Sequence, residues 1–93
     1  MKIYQSGSFA RKVKIITKTE KKELDSIVRE IAMNPGLGLE KKGDLKGILI
    51  HKFKLKKTFY LLAYRVIDQQ ALELIMIGPH ENYYRDLKSY LNT

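Results

Sequence analysis

The 93-residue chain has no cysteine. That excludes disulfide staples, thiolate catalysis and thiolate zinc sites. Histidine occurs only as His51 and His80, so no metal site is expected. The apolar run at residues 59–64 falls far short of the ~20 residues that span a bilayer. No apolar signal region marks the N-terminus, so the reading is a cytoplasmic protein without a membrane partner. The chain also lacks a Gly-rich phosphate loop ending in Lys-Ser/Thr, a nucleophile elbow and a His-Glu-x-x-His zinc motif. With no repeat, low-complexity tract or linker, residues 1–93 read as one domain. A domain this short leaves roughly a third or more of its unfolded surface exposed, so the core is modest.

Positive charge, by contrast, is abundant. Eighteen basic against ten acidic side chains leave a formal charge of +8. Residues 1–22 hold seven basic residues against Glu20, and residues 36–57 hold seven lysines against Glu40 and Asp44. The rest of the chain is close to neutral or slightly acidic. Two such blocks attract phosphates, acidic proteins or anionic lipid, although lysine also serves plain solubility.

The elements follow from periodicity. Lys2 to Gln5 reads as a short strand. Phe9, Val13 and Ile16 recur at i, i+4 and i+7 on one helix face, with Ser6 or Ser8 to cap its start. Thr17 and Glu20 have capping-box spacing and open a second helix. Its stripe is Leu24, Ile27, Val28 and Ile31, and Asn34-Pro35-Gly36 stops it. Residues 36–47 read as a loop. The period then becomes two: Leu49, His51, Phe53 and Leu55 alternate with Ile50, Lys52 and Lys54. Lys56-Lys57 turns the chain into residues 58–67, which are apolar on both faces, as a central strand requires. Asp68-Gln69-Gln70 is a second turn. Leu72, Leu74 and Met76 then alternate with Glu73, Ile75 and Ile77. Asn82 is positioned to cap a last helix with Tyr84, Leu87 and Leu91 on one face. The order predicts an α+β fold. An N-terminal helical hairpin packs on one face of a small antiparallel sheet, a short C-terminal helix follows, and the other face stays open with Lys52 and Lys54 on it.

Three groups are candidates for chemistry. Lys52 and Lys54 share one strand face about 7 Å apart, a spacing that holds a phosphate and equally suits a solvated edge strand. Arg65 interrupts an apolar strand. It must reach water at the strand end, pair with an acid such as Glu73, or face the open side, because desolvating a guanidinium is costly. The segment from Gly78 to Arg85 follows a strand and opens a helix. It holds His80, the side chain suited to proton transfer near neutral pH, with Tyr83 and Tyr84, which can stack on bases or donate a phenolic hydrogen bond. His51 shares its face with Leu49 and Phe53 and reads as a core-edge residue.

Taken in order, these motifs resemble the RelE/ParE superfamily of bacterial toxins from type II toxin–antitoxin systems. The signals are residues 9–14 (Phe-Ala-Arg-Lys-Val-Lys), Asp44-Leu45-Lys46-Gly47, Lys52-Phe53-Lys54, Leu62-Ala63-Tyr64-Arg65-Val66 with Asp68, and Ile77-Gly78-Pro79-His80 with Tyr83 or Tyr84. The resemblance implies a toxin that needs no cofactor and is neutralised by a cognate antitoxin. RelE-like members are metal-independent endoribonucleases that cut mRNA on the ribosome, whereas ParE-like members poison DNA gyrase. Lys52 and Lys54 match the paired lysines of the nuclease branch. His80 matches a catalytic histidine of its YafQ branch, and Tyr84 falls where that branch has a functional phenylalanine. Leu61 stands where RelE-like toxins carry a catalytic arginine; Arg65, on the same strand face, is the substitute. The resemblance therefore implies His80, Lys54, Arg65 and Tyr84 as catalytic residues. It implies Lys52, Tyr83, Arg85 and Lys56 as contacts to mRNA.

Overall fold

The computed structural model describes residues 1–41 and 43–92, with Asp44 described by its backbone alone. The side chain of Asp44, the first residue of one quoted motif, thus lies outside the described residues.

β1 (Lys2–Gln5) leads at once into α1 (Gly7–Val13). Ser6 makes that corner. Its Oγ accepts from the Phe9 amide at 3.1 Å, so of the two candidate serines it is the cap. α2 (Lys18–Met33) starts with the capping box: the Glu20 amide donates to Thr17 Oγ1 (3.2 Å), and the Thr17 amide donates to Glu20 Oε1 (3.0 Å). The hydrogen bond from the Thr17 amide holds the Glu20 carboxyl below its usual range.

The segment read as a loop contains more order than its Gly and Lys content indicates. A 3-10 turn (Pro35–Leu37) leads to a two-residue strand, β2 (Leu39–Glu40), and a second 3-10 turn follows (Gly43–Leu45). Tyr64 organises it. Its hydroxyl donates to the Pro35 carbonyl (2.7 Å) and accepts from the Gly38 amide (2.8 Å). A Cβ on Gly38 would come within 2.9 Å of the Tyr64 ring, so only glycine allows this approach.

β3 (Leu49–Leu55), β4 (Thr58–Asp68) and β5 (Ala71–Pro79) form a meander closed by α3 (Tyr83–Leu91). The strand order is β1-β5-β4-β3-β2, with the doubly apolar β4 at the centre. The sheet is antiparallel from β5 to β2, but β1 joins the far edge parallel to β5, so the whole is mixed.

One face packs against the helical hairpin through Phe9, Leu24, Ile31, Phe53, Leu55, Leu62, Tyr64, Leu72 and Leu74. Each fully buried large side chain here contributes roughly 1.5–3 kcal/mol. The second face was expected to stay open but is partly covered. α3 and the Gly43–Leu45 turn cover part of it, over Leu45, Ile48, Ile50, Leu61, Ala63, Ile75, Tyr83 and Leu87. The physical reason is β4 itself: a strand apolar on both sides must be covered on both sides.

Candidate functional site

The two-residue turn Lys56-Lys57 sets the β3–β4 register, which places Leu55 opposite Thr58, Lys54 opposite Phe59 and Lys52 opposite Leu61. Across β4, Leu61 pairs with Gly78 and Tyr60 with Pro79. Lys52, Leu61 and Gly78 therefore form one row, and at strand spacings of about 4.8 Å the outer two lie roughly 10 Å apart. Both lysines are exposed, on the part of the second face that α3 does not reach. Between them stands Phe59, 45% exposed, with Lys52 Nζ 4.5 Å and Lys54 Nζ 4.8 Å from its ring centre.

The β5–α3 corner supplies the other side. His80 is exposed just past Pro79, and its ring meets the Tyr84 ring edge-on at 6.3 Å between centroids. Lys41 Nζ lies 5.1 Å over the same tyrosine. It is carried there by β2, and its amide extends the pairing by donating to the Ile48 carbonyl (3.1 Å). The register thus puts Lys52, Lys54, Phe59 and His80 toward one end of the sheet, with Tyr84 against His80, whereas Lys41 reaches Tyr84 from the start of β3, level with Arg65. That end of the sheet is an open surface; among the described residues, grooves are found elsewhere. One, of about 500 Å³, runs between α1 and the start of α3 along Met76 to Pro79.

Asn82 does not cap α3 with its side chain. It takes the left-handed conformation (φ 60°, ψ 8°), which asparagine tolerates better than most residues. That twist moves the helix stripe by one residue, so Tyr83 and Leu87 are buried, Tyr84 is half-buried and Leu91 is exposed. The Tyr83 hydroxyl accepts from the Ala63 amide (2.9 Å) and donates to the Met76 carbonyl (2.5 Å). Burial pushes its phenol well above the ordinary tyrosine range, against the opposing pull of the Ala63 hydrogen bond. Tyr83 is thus a buried strut, and Tyr84 is the tyrosine presented at the surface.

The remaining candidates lie apart from this cluster. Arg65 pairs with Glu73, its register partner on β5, and is 53% exposed. It sits four residues beyond Leu61, about 13 Å along the strand. Of the three environments open to it from sequence, the acid pair is the one adopted. Lys56 occupies the hairpin turn with a positive φ of 57°. Arg85 lies exposed in the first turn of α3, with its Nε 3.6 Å from the Asp86 carboxylate. His51 is half-buried and stacks on Phe53 at 5.9 Å; burial lowers its pKa, offset in part by Glu30. Among the described residues, no group of His, Cys, Asp or Glu could hold a metal ion, and no helix is long and apolar enough to cross a membrane.

Two residues that touch the candidates, Phe59 and Lys41, carried no site assignment from sequence. The signal for Phe59 was present: a two-residue turn after Lys54 and Leu55 places residue 59 opposite residue 54. Lys41 had no comparable signal, because its place depends on the Tyr64 clamp.

The family model for the ParE-like toxin of type II bacterial toxin–antitoxin systems matches residues 3–88. The chain belongs to that family, and membership implies a cognate antitoxin as partner. No curated protein sequence matches it. Among solved structures, it is similar to the toxin of the intact Escherichia coli RelBE toxin–antitoxin complex (TM-score 0.68, 21% identity, covering 86% of this chain and 96% of that one). It is also similar to the isolated Escherichia coli RelE toxin (0.65, 20%, 96% and 97%). A doubly substituted Escherichia coli RelE in the free state gives 0.72 at 18%, covering 98% and 95%. These likenesses establish a shared fold.

Proposed function

We propose that this toxin is a metal-independent endoribonuclease that cuts mRNA on the ribosome and so inhibits translation. The observation that supports this reading is the placement of the Lys52–Lys54 pair and the His80–Tyr84 pair toward one end of the sheet, on either side of β4 and beyond the part of the face that α3 covers. A message lying there presents its phosphate to the lysines. The 2′-hydroxyl attacks the adjacent phosphorus, Lys54 takes its proton in its neutral amine form, having first released a proton to solvent, and a 2′,3′-cyclic phosphate forms. The P–O5′ bond breaks, and His80 protonates the departing 5′-oxygen. Lys52 stabilises the charge that gathers on the phosphorane. Tyr84 stacks on or orients a neighbouring base. Arg65, engaged with Glu73, contacts the message farther along the strand, and Lys56 and Arg85 flank it at the turn and at α3. So few groups suit an enzyme that relies on the ribosome to position its substrate.

A second reading has an observation of its own. The side chain opposite Lys52 is Leu61, which is buried, where nuclease relatives carry an arginine. A gyrase poison needs no such arginine and no proton donor. The two readings part in one experiment: induced expression, with mRNA ends mapped and gyrase-dependent DNA breaks scored in parallel. The nuclease reading expects new mRNA ends. It also expects a loss of about 100-fold or more in cleavage for Lys54→Ala with His80→Ala. DNA breaks without new mRNA ends, undiminished in that variant, would establish the poison instead.

A further inference from the structure

Phe59 belongs to neither core cluster among the described residues. It stands 45% exposed in the middle of the most basic part of the sheet. An aromatic ring in that position is available to a ligand rather than to the fold. Both neighbouring ammonium groups lie within 5 Å of its centre, at 4.5 and 4.8 Å. An exposed cation–π contact is weak, so either lysine leaves the ring readily for a phosphate. A ring between two mobile cations matches the build of single-strand binding sites, where aromatic faces take bases and basic residues follow the backbone. The strand geometry agrees. Phe59 and Lys54 face each other directly, and Lys52 lies diagonal to the ring, so ring and ammonium groups reach the same volume above the sheet.

We propose that Phe59 is a stacking platform for one nucleobase of single-stranded RNA, with Lys52 and Lys54 holding the phosphates beside it. The inference rests on the message-binding reading above and adds to it a second base-contacting residue, on β4 where Tyr84 is on α3. The site then grips the strand at two aromatic points and bends or splays the bases between them. Stacking strength, not hydrogen bonding, sets any preference at Phe59, so purines are favoured over uracil there.

The chain has no tryptophan, so Phe59→Trp in the full-length protein carries a single tryptophan, at the platform, whose emission can be excited apart from that of the six tyrosines. Titration with a short unstructured oligoadenylate should quench it. An abasic oligomer with the same number of phosphates should not. Phe59→Ala should weaken oligoadenylate binding by about tenfold or more and leave abasic binding unchanged. Absence of quenching, or equal losses on both oligomers, would overturn the proposal and reduce Phe59 to a prop for its lysines. Mapping of mRNA ends separates this from the nuclease reading. A protein that binds and quenches without cutting keeps the platform and loses the nuclease. One that cuts at the same sites and rate with Phe59→Ala keeps the nuclease and loses the platform.

Discussion

The hydroxyl of Tyr83 fills a gap in the β4–β5 ladder. The register shifts between Ala63 and Tyr64, which leaves the Ala63 amide without a strand partner, and the phenol takes that bond and passes one on to the Met76 carbonyl. Tyr83→Phe leaves both groups buried and unpaired, a cost of about 1–3 kcal/mol. The urea midpoint should fall accordingly. Tyr84→Phe, at the surface, should change the unfolding free energy by no more than about 0.5 kcal/mol. From sequence the two tyrosines were equivalent candidates, because Tyr84, Leu87 and Leu91 make as good a helical stripe as Tyr83 and Leu87. The choice between them needs the left-handed Asn82 and the gap that Tyr83 fills, and neither is a periodic signal.

At the scale of elements, the same bulge rearranges β5. Ile75 is the extra residue, since Met76 faces Ala63 and Leu74 faces Tyr64. Strict alternation would group Met76 with Leu72 and Leu74. Instead Ile77 joins them in the first core, and Ile75 and Met76 pack in the second. Ser6 ties this irregularity to the start of α1: its Oγ donates to the Ile75 carbonyl while accepting from the Phe9 amide. Ser6→Ala loses a helix cap and a bulge contact together, so it should cost about 1–2 kcal/mol in chemical denaturation. Thr17 and Glu20, by contrast, were readable because a capping box is wholly local. The Lys56-Lys57 hairpin was readable for the same reason.

For the whole molecule, the charge of +8 becomes a matter of placement. Lys41 comes from β2, Lys52 and Lys54 come from β3, and His80 follows β5. If these lysines neutralise phosphates of a single strand, each contributes about 0.7 to the slope of log affinity against log salt concentration. Binding of an oligoribonucleotide over a salt series should therefore lose about that much slope for Lys41→Gln alone. Lys52→Gln with Lys54→Gln should lose about twice as much. An unchanged slope for Lys41→Gln would remove it from the interface.

The sequence by itself determined what is decided within a few residues. Hydrophobic period, capping boxes, turn chemistry and the pairing across a two-residue hairpin all act over short range, and they carry the α+β order and the family. The tertiary structure decided what depends on segments meeting. It assigned Tyr83 to the interior and Tyr84 to the surface, paired Arg65 with Glu73, and brought Lys41 over the Tyr84 ring. The physical reason is that a bulge, a positive φ and the Tyr64 clamp each redirect chain far beyond their own position. A pattern that counts residues along the chain cannot register a change that occurs between strands.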